Sequence, residues 1–198
     1  MSLAIIGSSH VCKLKSQLYG GYIYPNGIDE RLPNVEWFGI SATTAAEMKD
    51  PTTTTRLDIS RHTRAKVACL IMGSNDMDDI YNGGNTRRVF DNIKLTVEGI
   101  QAVIPLVMVV PLFYRQYPRT HSCPFRQRYP GRCDYNMLSI ELNKSLVDLK
   151  EMGVRIVTKL NLKDSDLYDC VYMLPTANRR LLNTILRCYK HMLNTSVK

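Results

Sequence analysis

Unbroken apolar runs alternate with helically spaced apolar positions along the chain. Leu3-Ala4-Ile5-Ile6 is the first such run, and it stops at Gly7-Ser8-Ser9. A short apolar stretch closed by turn residues reads as a strand buried on both faces. Val67-Ala68-Cys69-Leu70-Ile71-Met72, ending at Gly73-Ser74-Asn75-Asp76, has the same form, as does Leu106-Val107-Met108-Val109-Val110, ending at Pro111. Two shorter strands, Asn34-Val35-Glu36-Trp37-Phe38 and Val154-Arg155-Ile156-Val157, bring the set to five. Between the strands, Val11, Leu14 and Leu18 predict a helix over 10–19 that ends at Gly20-Gly21. Val89, Ile93, Val97, Ile100 and Ile104 recur at spacings of three and four and predict a long amphipathic helix over 86–103. Further helices are expected over 135–152 and 176–192. Residues 45–48 open a short helix that Asp50-Pro51 breaks. Residues 22–32, with Pro25-Asn26-Gly27, read as turns, and the polar stretch 52–65 has only a weak helical pattern.

Five alternations of strand and helix predict a parallel sheet covered on both faces, a three-layer α/β/α domain spanning residues 1–198. In the flavodoxin-like order the first and third strands are neighbours at the switch point. The turns at Ser9 and Asn75 then face each other across the crevice where open α/β sheets bind ligands. By itself, Gly7-Ser8-Ser9 reads most simply as the N-cap of the helix that follows.

Composition narrows the class. At 198 residues the chain is long enough for a full core without staples, and 44% hydrophobic with 22% charged residues is ordinary for a globular protein. No apolar stretch approaches the roughly 20 residues of a membrane span. The start lacks the basic, small-residue-cleaved pattern of a secretory signal, so an intracellular, cytoplasmic location is expected. The six cysteines form no pairwise framework, and most are expected as free thiols. Asn143-Lys144-Ser145 and Asn194-Thr195-Ser196 have the form of glycosylation acceptors, which matters only in a secreted protein.

A net charge of +8 favours an anionic partner. Much of it is concentrated in the long loop 112–132, which carries Arg115, Arg119, Arg126, Arg128 and Arg132 with no acidic residue, interleaved with Tyr114, Tyr117, Phe125 and Tyr129. Guanidinium groups pair with phosphates and tyrosine rings stack on bases, a combination suited to single-stranded nucleic acid or another polyanion. The other reading of the loop is a solvated segment whose charge serves solubility.

Four blocks carry candidate chemistry: Ile6-Gly7-Ser8-Ser9-His10-Val11, Gly39-Ile40-Ser41-Ala42-Thr43-Thr44, Met72-Gly73-Ser74-Asn75-Asp76 and Asp169-Cys170-Val171-Tyr172-Met173. In content and order they resemble the sequence blocks of the SGNH (GDSL-type) hydrolases, esterases and lipases of this three-layer fold. The resemblance implies hydrolysis of a small carboxylic ester with no cofactor and no metal. Ser9 takes the nucleophile position, and Ser8 stands where the family usually has Asp. Backbone N–H groups of Ser9 and Ala42, with the Asn75 amide, would hold the oxyanion. Ala42 stands where the family generally has glycine.

The last block departs from the family at Tyr172, which occupies the position of the catalytic histidine. A serine hydroxyl attacks only when a neighbouring base takes its proton. A phenol with a pKa of about 10 is a poor acceptor near pH 7, and Asp169 then has no imidazole to orient. The resemblance therefore implies an impaired esterase or a non-catalytic relative. Of the four histidines, only His121, in the loop after the fourth strand, is expected on the carboxyl side of the sheet, as a substitute base or as a solvated loop residue. Grouping His121 with Cys123 and Cys133 as metal ligands matches no standard zinc spacing. Asp76 reads as a structural hydrogen-bonding residue.

Overall fold

β1 (Ser2–Gly7) lies in the interior of the sheet, flanked in parallel by β3 (Leu32–Gly39) and β4 (Ala65–Ile71). In the computed structural model, which describes residues 2–19, 27–29, 32–77, 85–113, 135–158, 160, 166 and 173–195, Gly7 sits opposite both Gly39 and Ile71. β5 (Leu106–Val109) and β6 (Arg155–Ile156) continue the parallel sheet beyond β4. β2 (Gly27–Asp29) pairs antiparallel with the other side of β3, giving the order β2-β3-β1-β4-β5-β6. The five parallel strands have the flavodoxin-like arrangement that the alternation predicts. β2 is an addition, lying in the stretch expected as turns. Three residues paired through a register shift leave too little alternation to announce a strand.

The pleat divides the core into two layers. Leu3 and Ile5 of β1 face the same side as Trp37, Val67, Cys69 and Met108, against α1 (Ser9–Tyr19) and α6 (Pro175–Thr195). Ala4 and Ile6 face the other side with Phe38, Ala68, Leu70 and Val107. This second face is covered by α2 (Ala45–Met48), α3 (Thr54–His62), α4 (Thr86–Gln101) and α5 (Tyr135–Ser145). α4 buries Val89, Ile93, Val97 and Ile100 as its periodicity predicts, and Phe90 besides, and Asn85 caps it by accepting from the Arg88 N–H at 2.8 Å.

Two expectations change in detail. Residues 135–152 do not form one α-helix: α5 stops at Ser145, and Leu146–Met152 continue as a 3-10 helix closed by Gly153 in the left-handed region (φ 76°). The tighter turn still buries Leu146 and Leu149, so the apolar spacing alone does not separate the two helix types. The polar stretch after Pro51 forms α3, held by buried Ile59 and by the Arg56 guanidinium donating to the Gly99 carbonyl at 2.7 Å. Among the described residues no helix is long and apolar enough to cross a membrane.

Candidate active site

Parallel strands place every strand-to-helix turn at one edge, and here three turns are bonded to one another. At the end of β1, the Ser8 N–H donates to the Ile71 carbonyl at 3.4 Å, joining the first turn to β4. The Ile40 N–H donates to the Gly7 carbonyl at 3.1 Å, joining the turn after β3 to the first. The Asn75 amide donates to the Thr43 carbonyl at 3.0 Å, joining the turn after β4 to that after β3. Glycine at position 7 is demanded by this closeness, because a Cβ there would lie 2.0 Å from the Ile71 oxygen.

The two serines of the first turn differ. Ser8 is completely buried, and its Oγ has no hydrogen-bond partner among the described residues. Ser9 retains 8% exposure and is the first residue of α1. Helix geometry leaves the first N–H groups without intrahelical acceptors, so the Ser9 N–H is a donor at the positive end of an eleven-residue helix. No acidic side chain lies in that first turn to offset it. Such an end favours negative charge.

Ala42 sits in the left-handed region at φ 65°, the only non-glycine with positive φ among the described residues. The backbone there has the shape a glycine takes most easily, at the position where the sequence blocks suggested glycine. Two residues on, Thr44 caps α2: Thr44 Oγ1 accepts from the Glu47 N–H at 3.2 Å, and Glu47 accepts from the Thr44 N–H at 2.9 Å, a capping box.

Asp76 is fully buried beside this cap. Its carboxylate accepts from the Ala45 N–H at 2.8 and 2.9 Å and from the Ala46 N–H at 3.2 Å. Asp76 is thus a structural hydrogen-bonding residue, as its sequence context suggests. The Asn75 amide nitrogen carries two protons, one of which goes to Thr43. Gly73, at φ 104°, lets the chain turn between β4 and Asn75, with Leu112 and Ile93 packed closely around it.

β5 ends at the same edge. Asn143 of α5 holds the segment after it: the Leu112 N–H donates to Asn143 Oδ1 at 2.7 Å, and Asn143 Nδ2 donates to the Leu112 carbonyl at 3.0 Å. The next residue, Phe113, meets the His10 ring edge-on with centroids 5.6 Å apart. His10 therefore packs on an aromatic ring beside the candidate nucleophile. His62, at the end of α3, and His191, late in α6, are exposed and distant in the fold from this edge.

Asp169, Tyr172 and His121 lie outside the described residues, as do Arg115, Arg119, Arg126, Arg128, Arg132, Cys123 and Cys133. The segment that contains Asp169 and Tyr172 is bracketed by contacts the motifs did not indicate. Buried Asp166 pairs with Arg180 of α6, and its carbonyl accepts from the Leu174 N–H at 2.7 Å. The described cysteines Cys12, Cys69 and Cys188 are free thiols.

No family model and no curated protein matches the chain. Solved structures do. A GDSL-like lipase from Bacteroides thetaiotaomicron superposes with a TM-score of 0.69 at 14% identity, covering 96% of this chain and 88% of that one. Est24, a carbohydrate acetylesterase from Sinorhizobium meliloti, gives 0.66 at 15% identity over 96% and 99%. A carbohydrate esterase family 3 protein from Talaromyces cellulolyticus gives 0.65 at 13% over 98% and 99%. The chain therefore has the fold of the GDSL-like lipases and acetylesterases across nearly its whole length.

Proposed function

We propose that this chain is an SGNH-type serine esterase with Ser9 as nucleophile and impaired turnover. In the proposed reaction, Ser9 Oγ attacks the ester carbonyl carbon and passes its proton to a base. The Ser9 and Ala42 N–H groups and the remaining Asn75 amide proton bind the oxyanion. The alcohol leaves with a proton, and water then hydrolyses the acyl-serine. The observation that carries this reading is the mutual bonding of the turns holding Ser9, Ala42 and Asn75 at one sheet edge. Tyr172 at the base position is the reason for expecting slow turnover, and His121 is the candidate for a substitute base.

Hydrolysis of short p-nitrophenyl esters tests it. Wild type is expected to be very slow near neutral pH, Tyr172→His faster, and Ser9→Ala inactive in both backgrounds. A rate untouched by Ser9→Ala refutes the nucleophile. A robust wild-type rate that needs Ser9 refutes the impairment, and loss of that rate in His121→Ala identifies the base. The second reading, a non-catalytic protein that binds single-stranded nucleic acid or another polyanion through 112–132, rests on the five arginines and four aromatic residues of that carboxylate-free loop.

A further inference from the structure

Residues 112–132 and 175–195 hold nine arginines and lysines and no carboxylate, against a net charge of +8 for the chain. The rest of the chain is therefore close to neutral, and α6 is a distinct second centre of positive charge. Its buried side is apolar apart from Asn178: Ala177, Leu181, Leu182, Ile185, Tyr189 and Met192 pack on the sheet. At about 100° per residue, Arg179, Asn183, Arg187, Lys190 and Asn194 fall within an arc of about 80° on the opposite side, with Arg180 and His191 on its flank. All of these are exposed.

Exposed helix faces ordinarily mix signs, because oppositely charged pairs one turn apart stabilise and like pairs destabilise. Among the described residues, Arg180 is the only cation of α6 in an ion pair, with Asp166 from outside the helix. Arg179, Arg187 and Lys190 have no ion-pair partner among the described residues. From Arg179 to Lys190 the stripe runs about 17 Å. Near its C-terminal end lies an open groove of about 500 Å³ whose lining includes Met192 and Thr195 of α6 together with Lys150 and Arg155, and no carboxylate.

We infer that the exposed face of α6 is a binding surface for the phosphate backbone of double-stranded nucleic acid. The polar residues set the partner. Arginine, lysine and asparagine are the side chains that contact phosphate oxygens, and a stripe of this length spans several backbone charges. An interfacial membrane helix needs apolar residues beside its cations to enter the lipid, and the exposed arc of α6 has none. It also has no aromatic residue to stack on an unpaired base, which separates it from the chemistry of loop 112–132. The surface reads charge and spacing, so binding is independent of sequence.

The test is fluorescence anisotropy of the full chain with a labelled 20-base-pair duplex from 50 to 200 mM salt. Wild type is compared with Arg179→Gln/Arg187→Gln/Lys190→Gln and with a control that loses the same charge from other exposed positions, Arg61→Gln/Lys66→Gln/Lys94→Gln. Glutamine keeps helix propensity, and circular dichroism checks the fold. The α6 variant is expected to bind at least about tenfold more weakly at 50 mM salt, with the slope of log affinity against log salt smaller by up to about three. The control is expected within about twofold of wild type. Equal losses in the two variants would reduce the effect to net charge and overturn the proposal. So would no loss in the α6 variant, or α6-dependent binding to phosphatidylserine vesicles with none to the duplex.

Discussion

Asn75 and Thr43 lie 32 residues apart, yet the Asn75 amide donates to the Thr43 carbonyl at 3.0 Å and fixes the turn after β4 against the turn after β3. In Asn75→Ala this bond is lost, at a cost of about 1 kcal/mol in stability. If Asn75 also donates to the oxyanion, kcat for ester hydrolysis falls by about 10² to 10³. Chemical denaturation and steady-state kinetics on the same variant separate the two effects.

Ala42→Gly is expected to stabilise. A residue with a Cβ at φ 65° carries about 1–2 kcal/mol of steric cost, and glycine returns part of this as unfolded-state entropy. The net gain is up to about 1 kcal/mol, a rise of roughly 2–4 °C in Tm for a chain of this size. An unchanged or lower Tm counts against strain at this position.

Asp76→Ala removes the acceptor for two N–H groups at the start of α2, in a site with no solvent access for the carboxylate. Unpaired buried donors cost about 1–3 kcal/mol each, so a loss of about 2–4 kcal/mol is expected. Asp76→Asn keeps an acceptor oxygen and is expected to lose less. Urea unfolding of the two variants gives the comparison.

Stability is expected to fall on the alkaline side. Burial, helped by nearby Cys188, raises the pKa of the Cys69 thiol, and burial also raises that of the Tyr189 phenol. Folding then keeps Cys69 neutral while the unfolded thiol ionises above about pH 8.5. Its contribution is full below that value and declines as pH rises toward the folded pKa, with Tyr189 adding the same trend above about pH 10. Thermal melts of wild type and Cys69→Ala between pH 7 and 10 are expected to converge as pH increases. Parallel profiles would show that Cys69 does not contribute.

Asn143 engages both ends of its amide on the Leu112 backbone. The side-chain nitrogen of Asn143-Lys144-Ser145 is therefore occupied, and expression through a secretory pathway is expected to leave it unglycosylated. Asn143→Leu should cost about 2 kcal/mol in thermal or urea unfolding, since it also strands the Leu112 N–H.

Local pattern and long-range contact divide what was legible in the sequence. β1, β4 and β5 are buried on both faces, so their apolar runs are unbroken, and α4 and α6 carry apolar stripes that survive in any register. Among the described side chains of α3 only Ile59 is fully inside, and the helix's place depends on Arg56 reaching Gly99, 43 residues away. The site divides in the same way. Ser9, Ala42 and Asn75 stand out because each follows a strand within a short motif. The role of Asp76 reads from its motif but its partners on α2 do not, and the Asp166–Arg180 pair and the Asn143 clamp leave no local mark at all.

Among the described residues, the two outermost strands of the sheet are its shortest: β2 has three residues and β6 two, with exposed Arg155 on the latter. A free strand edge is a template on which another chain can add its own backbone, and the number of bonds it offers grows with its length. Edges of this size offer an incoming strand only one or two bonds each, and on one side a positive charge stands at the point of approach. The long apolar strands β1 and β4, which would be the most adhesive segments of the chain, are each paired on both sides inside the sheet, and the finishing strands give lateral growth almost no foothold.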